Sequence, residues 1–484
     1  MEYTRGTVIR SFFWKLFERL STQLIQFVVT IVLARLLLPS EYGIIALITI
    51  FLALCNVIVD GGLNTALIQK KDVDNVDFST IFFFSIALSI LMYLIMFICA
   101  PLIANFYEQP DLVSVIRVLS LSLPFYAINS IQNAFVAKKM LFKRLFYSSL
   151  GAIIISGAVG IYMAYRGLGV WALVAQSVIS QLVTAIIMWY TIKWRPDFVF
   201  SRERFSGLFS YGLKIFGANF ITVLFVNARK LVIGKFFTPA SLACYEKGGH
   251  LPSLVVDNLF TSIQTILFPT LSESQNDRAH VKSMMRRSTK LSCFLIYPIM
   301  VLMIVAAKPL VLLLLTETWI GAVPFVQILC VSYFFRPITI PNWEAIKALG
   351  YSDITLKLEV LKKVVDISIL IITAFIGVYA IALGQVLFNA ICVFINLAPN
   401  KKLLNYGVRE QMIDAVPTLL ISLAVGIAVY GIQLLPISNL LIVTLQFLLG
   451  ALLYGGLSYL FKEESCMYLL EMYKNNMKKI GKKS

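Results

Sequence analysis

The sequence predicts an all-α integral membrane protein of about 14 transmembrane helices, arranged as two pseudo-symmetric six-helix lobes around a central cavity plus two C-terminal helices. Three observations predict it: the composition, the length of the apolar runs and an internal repeat. Of 484 residues 59% are hydrophobic and only 14% charged. A hydrocarbon layer about 30 Å thick takes roughly 20 apolar residues per helix, so such runs and short loops consume nearly the whole chain. Uninterrupted runs such as Ile81 to Ala100 and Thr418 to Leu435 exclude a membrane β-barrel, whose strands alternate apolar and polar residues in stretches of about ten.

Taken in order, the apolar runs predict helices over 11–37, 42–66, 79–104, 114–136, 147–165, 169–192, 207–230 and 240–270. They continue over 288–307, 321–345, 355–376, 378–398, 412–432 and 437–461. The breaks lie where helix-terminating or strongly polar residues stand: Pro39, the acidic loop 72–77, Pro110, Gly167, Pro196 and Pro399–Asn400.

The net charge of +17 sorts by topology. With a cytoplasmic amino terminus, most Lys and Arg fall on the inner side, among them Lys70, Lys71, Lys138, Lys139, Lys143, Arg144, Lys193, Arg195, Arg286, Arg287, Lys362 and Lys363. The bias predicts an even number of crossings with both termini cytoplasmic. The basic tail from Lys474 to Lys483 then anchors topology and touches anionic membrane lipid, and no nucleic-acid partner is needed to explain the charge.

A shift of 200 residues lays Ala34–Pro39 on Gly234–Pro239. Shifts of 210 and 208 lay Leu119, Ser122 and Ala134 on Leu329, Ser332 and Glu344, and Gly169–Leu173 on Gly377–Ile381. A repeat of six helices keeps both copies in the same orientation, so the expected domains are 1–200 and 201–402 as two lobes, 403–462 as two additional helices and 463–484 as the tail. Transporters place their substrate near the midplane at such a repeat interface and work by rocking one lobe against the other.

Ionisable residues inside apolar runs are costly unless they face water or a partner, which makes them candidate site residues. Lys15, Arg19, Thr22, Gln26 and Thr30 share one face of the first helix by steps of three and four. Glu246, His250, Ser253, Asp257, Thr261 and Gln264 form a longer stripe on the eighth. Asn56, Asp60 and Asn64 mark the second, and Lys214 the seventh. Ser122, Tyr126, Asn129 and Asn133 on the fourth are matched by Ser332, Arg336, Thr339 and Trp343 on the tenth. The five cations Lys15, Arg19, Lys214, Lys247 and Arg336 predict a basic, water-filled cleft for an anionic substrate, with Asn129, Asn133 and Trp343 for polar or sugar contacts. Asp60, Glu246 and Asp257 are the candidates for carrying a coupling proton or sodium ion. The competing reading of each group is polar glue between helices, including the pairs Glu246–Lys247 and Arg336–Glu344.

The sequence contains no nucleotide-binding phosphate loop, no HExxH zinc motif and no GxSxG elbow. Seven cysteines form no CxxC pair, and two histidines are too few for a His-rich metal site. The expectation is a transporter rather than an enzyme, with no cofactor and no metal.

The chain resembles the polysaccharide-transporter branch of the multidrug/oligosaccharidyl-lipid/polysaccharide (MOP) superfamily, which comprises the Wzx-type flippases and the teichuronic and colanic acid exporters. The resemblance rests on Ala34-Arg35-Leu36 with Pro39, Tyr42 and Gly43, on Ile68-Gln69-Lys70-Lys71, on Leu267-Phe268-Pro269-Thr270-Leu271-Ser272, and on Gln327-Ile328-Leu329-Cys330 with Arg336. It departs from the branch at Ala243-Cys244-Tyr245-Glu246-Lys247, where members often carry a glycine. The resemblance implies a protein of the bacterial inner membrane that flips an undecaprenyl-diphosphate-linked oligosaccharide to the outer leaflet, alongside a polysaccharide polymerase and chain-length machinery. The alternative is a cation-coupled multidrug exporter of the same superfamily. The two helices beyond residue 410 and the basic cleft argue against it.

Overall fold

The computed structural model describes residues 5–480, and among them every regular element is a helix. Twelve of the described helical spans are long and apolar enough to cross a membrane, and a pair bent by 40° at Tyr333–Arg336 passes the same test when taken together, as one broken span or a re-entrant loop. The 23-residue helix Ser352–Ala374 has the length of a fourteenth, but carries six charged residues, Asp353, Lys357, Glu359, Lys362, Lys363 and Asp366. This is the all-helical membrane architecture that the composition predicts. Helices satisfy every backbone group within one segment, which a lipid environment demands.

The chain divides into two compact units, Met1–Ala243 and Cys244–Ser484. The first holds α1 (Arg5–Leu36), α2 (Pro39–Asp60), α3 (Leu63–Gln69), α4 (Asn75–Phe106), α5 (Leu112–Leu119), α6 (Ser122–Lys139), α7 (Phe142–Tyr165), α8 (Val170–Thr191) and α9 (Arg202–Phe236). In this unit two of the predicted helices are broken. At 42–66 the chain passes through Gly61 and Gly62, both at positive φ, before α3 resumes. The break also lets α9 come close, since a Cβ on Gly62 would lie 2.3 Å from the Gly212 carbonyl oxygen. At 114–136 the crossing is α5 followed by α6, interrupted at Ser120–Leu121.

One core of the first unit gathers Leu63, Leu67, Phe78, Ile81, Ile131, Met188 and Trp194. Beside it, the loop into α4 is fixed by charge. Asp74 caps the helix by accepting from the Asp77 backbone N–H at 2.9 Å. That hydrogen bond, helped by Arg204 at 3.1 Å, holds the Asp74 carboxyl below its ordinary range. The fully buried Asp77 takes Lys70 at 2.6 Å and Arg204 at 3.3 Å, which ties the start of α9 to α4.

The second unit contains most of α10 (Pro239–Glu273), then α11 (Arg278–Val305), α12 (Ala307–Leu314), α13 (Val323–Tyr333), α14 (Arg336–Ala348), α15 (Ser352–Ala374), α16 (Val378–Leu404), α17 (Val408–Tyr430), α18 (Asn439–Leu460) and α19 (Glu464–Ile480). The buried stripe of α11, with Cys293, Ile296, Tyr297 and Met300, is the axis on which α13, α14, α17 and α18 pack. The approach of α17 is close enough that a Cβ on Gly426 would lie 2.4 Å from Val301.

Helix α11 begins ten residues before the predicted start at 288. Asp277 caps it, accepting from the His280 backbone N–H at 2.9 Å, and its cations find carboxylates far away in sequence. Arg286 forks onto Asp414 at 2.9 and 2.8 Å, Lys290 reaches Asp414 at 3.1 Å and also Glu464, and Tyr406 donates to Asp414 at 2.7 Å. The segment expected as a basic tail is occupied largely by helix α19; residues 481–484 of that tail, with Lys482 and Lys483, lie outside the described residues.

Candidate functional site

The second unit encloses a polar cavity of about 530 Å³ bounded by α10, α14, α15 and α16. A bend at Phe334–Phe335 places its central cation. Pro337 has no N–H to continue the helix from α13, so α14 starts afresh and Arg336 stands at its first position. The opened turn is partly satisfied by Asn389 of α16, whose amide donates to Ser332 Oγ at 2.5 Å and to the Ser332 carbonyl at 3.4 Å.

Asp257, Thr261 and Gln264 follow steps of four and three along one face of α10 and line the cavity. Arg336 donates to the Asp257 carboxylate and lies over the Tyr333 ring at 5.4 Å. Both partners keep solvent access, with 39% of the Arg336 and 55% of the Asp257 side chain exposed. Deeper in the second unit, Gln264 donates to Glu344 at 3.0 Å, and Lys347 reaches the same carboxylate at 2.8 Å.

The opposite wall comes from α15. Lys362, only 13% exposed, reaches Glu359 at 2.7 Å and sits 3.8 Å from the centre of the Trp343 ring. Lys363 and Asn396 complete the lining. The Asn396 side-chain oxygen is buried with no hydrogen-bond partner in the protein. The cavity thus offers a water-accessible guanidinium, two lysines, an indole face and three amides, with the carboxylates Asp257 and Glu359 beside the cations. This set of groups matches phosphate and sugar chemistry.

Among the residues expected from sequence, Arg336, Asp257 and Trp343 meet in this cavity. Arg336 pairs with Asp257 and not with Glu344, whose cation is Lys347. Glu246 and Lys247 stand near the start of α10, half-buried. In the first unit, Lys15 bonds Glu18 at 2.8 Å one turn along α1, and Arg19 and Lys214 are exposed. Asn133 is exposed, whereas the buried Asn129 donates to the Gln181 carbonyl and side chain, both at 2.9 Å. Asp60 closes α2 and accepts from Tyr126 at 2.7 Å, Asn64 at 2.7 Å and Ser130.

Lys362 and Lys363 were expected among the cytoplasmic basic residues, and the structure puts both in the cavity wall of the second unit. Their signal was present, since Glu359, Lys362, Lys363 and Asp366 recur at helical spacing inside an otherwise apolar run. Asn389 and Asn396 sit seven residues apart, two turns along α16. No group of three or more His, Cys, Asp or Glu suited to a metal ion occurs among the described residues.

A family model described as polysaccharide biosynthesis protein matches residues 32–324, more than half of the chain. The succinoglycan biosynthesis transport protein ExoT of Rhizobium meliloti (strain 1021) is 24% identical over 331 residues, which span 67% of this chain and 66% of that protein, just under two thirds of its length. The teichuronic acid biosynthesis protein TuaB of Bacillus subtilis (strain 168) is 22% identical over 437 residues, covering 87% of this chain and 88% of that one. In fold, the chain is similar to the lipid II flippase MurJ in its inward closed conformation, with a TM-score of 0.73 at 16% identity over 93% of this chain and 99% of that one. The chain therefore belongs to the polysaccharide biosynthesis protein family.

Proposed function

We propose that this transporter moves an undecaprenyl-diphosphate-linked oligosaccharide from the cytoplasmic to the outer leaflet of the bacterial inner membrane by alternating access, with both termini in the cytoplasm. The observation that carries the reading is the Arg336–Asp257 pair in a polar cavity that also holds Lys362, Lys363 and Trp343. A guanidinium can fork onto a phosphate with better geometry and more charge than onto one carboxylate. An arriving diphosphate takes Arg336 from Asp257, the two lysines balance its remaining charge, and Asn389, Asn396 and Trp343 receive the first sugar.

Released from its cation, Asp257 becomes an uncompensated anion and takes up a proton or sodium ion. Substrate binding and ion binding are thereby linked through one carboxylate. In this reading Lys15, Arg19, Lys214 and Lys247 extend the basic surface along the substrate's route, with Asn129 and Asn133 as further polar contacts. Glu246 is a second coupling carboxylate. Asp60 is less readily freed, because three side chains donate to it.

The test is translocation by the purified chain in liposomes that contain a labelled polyprenyl-diphosphate oligosaccharide, read by a glycosidase confined to one side. Protein-dependent movement of label to the far leaflet, lost in Arg336→Ala, is the expected result. Equal label distribution with and without protein, in vesicles shown to hold folded protein under an imposed ion gradient, overturns the reading.

A further inference from the structure

The basic residues of α11 end at Lys290, and from Leu291 to Val305 the helix carries no charge. A polar-to-apolar boundary therefore crosses α11 just after Lys290. The turn between α18 and α19 lies beside it, since Glu464 at the start of α19 pairs with Lys290 and the Arg287 guanidinium lies 4.3 Å from the centre of the Tyr468 ring. Such a boundary marks the level of lipid headgroups.

Two hollows of the second unit adjoin at Arg287 and Leu291, which line both of them. One is an apolar groove of about 400 Å³ between α10 and α11. Ile263, Ile266 and Leu267 form its α10 wall, and its α11 wall continues from Leu291 to Leu295, with the spacing of three and four that keeps residues on one helix face. Leu267 is buried in the core of Leu271, Val281 and Met285, whereas Ile266 is 71% exposed, so the groove has a closed floor and an open rim. The other hollow, about 550 Å³ and polar, lies against α19 and is lined by Lys290, Lys462, Glu464, Tyr468 and Glu471.

Glu464 is engaged by Lys290, which also reaches Asp414, and it stands 3.8 Å from Arg286. Among the described residues, Arg287, Lys462 and Glu471 make no ion pair. Two cations and one carboxylate therefore remain available at the mouth of an apolar groove. A phosphodiester calls for the cations, a primary ammonium for the carboxylate and a hydrocarbon chain for the groove. A glycerophospholipid with an amino headgroup carries all three, whereas a diphosphate-linked polyprenol has no ammonium for Glu471.

We infer that this composite site binds an amino-headed glycerophospholipid. Arg287 and Lys462 hold the phosphate, Glu471 takes the ammonium, and one acyl chain lies between α10 and α11. The site is separate from the cavity that Arg336 lines and does not rest on the oligosaccharide reading.

Native mass spectrometry of the full chain, titrated with phosphatidylethanolamine, phosphatidylglycerol and phosphatidylcholine, tests the assignment. Wild type should retain phosphatidylethanolamine preferentially. Arg287→Ala should bind it roughly 10-fold more weakly, the loss of one charge-assisted contact, and Glu471→Gln should retain phosphatidylethanolamine and phosphatidylglycerol equally. Ile266→Trp fills the groove from its open rim, outside the polar hollow, and should weaken retention as well. Lys401→Ala/Lys402→Ala, which removes two exposed lysines elsewhere in the second unit, should bind as wild type does. Equal retention of the three lipids by wild type, unchanged retention by Arg287→Ala or Ile266→Trp, a preference that survives in Glu471→Gln, equal loss in the lysine control, or displacement of the lipid by polyprenyl diphosphate at equal concentration overturns the assignment. Should the variants fail to fold, phosphatidylethanolamine with a photoreactive acyl chain can be crosslinked to wild type. Label on peptides covering 263–270 and 284–295 supports the site, and label confined to other helices refutes it.

Discussion

Replacing Arg336 by alanine separates a structural ion pair from one that handles substrate. With 39% of the arginine and 55% of its partner exposed, the pair is heavily screened by solvent. Screened pairs contribute about 0–1 kcal/mol, so the unfolding temperature of Arg336→Ala should fall by no more than about 2 °C. If Arg336 forks onto a phosphate, the charge-assisted bonds lost are worth about 1.5–3 kcal/mol, a decrease of roughly 10- to 100-fold in transport at limiting substrate. The assay pairs a thermal-shift measurement with initial transport rates in liposomes. The exchange Arg336→Asp/Asp257→Arg sharpens the comparison, because it restores a pair of the same charges while moving the cation to another helix. The account predicts a stable and inactive protein. Transport by Arg336→Ala at the wild-type rate, or full activity of the exchanged pair, would refute the reasoning.

Three further outcomes follow from the packing. Asp60→Ala strands the Tyr126, Asn64 and Ser130 donors and should cost about 2 kcal/mol, at the roughly 0.6 kcal/mol measured per hydrogen bond inside membranes; Asp60→Asn, read by the same fluorescence-monitored unfolding, should cost less. Asp414→Ala removes the carboxylate that Arg286, Lys290 and Tyr406 share, leaves Glu464 as the anion beside the two cations, and should destabilise by about 1.5–3 kcal/mol, with earlier proteolysis of α17 as the local readout. Gly426→Val drives a side chain into Val301 and should cost about 1–3 kcal/mol through separation of α17 from α11, measured against the tolerated control Gly455→Val, whose Cβ meets open space.

The helices were legible because apolar length and proline or glycine breaks are local properties. Predicted and observed spans at 169–192 and 437–461 differ from α8 and α18 by no more than two residues at either end. The breaks inside spans were harder to see. The Gly61–Gly62 turn is tolerated because Asn64 and Asp60 bond each other across it and α9 fits against it, and those are tertiary facts. The early start of α11 was hidden for a related reason: Lys282 and Arg286 look like loop residues until Glu410 and Asp414, more than 120 residues away, are brought to them.

The candidate site divides in the same way. Helical spacing alone put Asp257, Thr261 and Gln264 on one face, and the bend before Pro337 turned Arg336 toward them. The cations of α15 escaped because the inside bias of Lys and Arg offered a ready explanation for them. Whether a lysine near the end of a span snorkels or lines a cavity depends on the wall it meets, here Glu359 and Trp343.

The central claim is that the substrate is a lipid-linked oligosaccharide carried across the membrane. Deleting the gene in its host and measuring both surface polysaccharide and the lipid-linked unit of the cytoplasmic leaflet tests it most directly. The account predicts loss of the polymer with accumulation of its lipid-linked unit on the inner side, reversed by wild type and not by Arg336→Ala. Intact polymer with an unchanged lipid pool, in a host shown to have no redundant flippase, would contradict it.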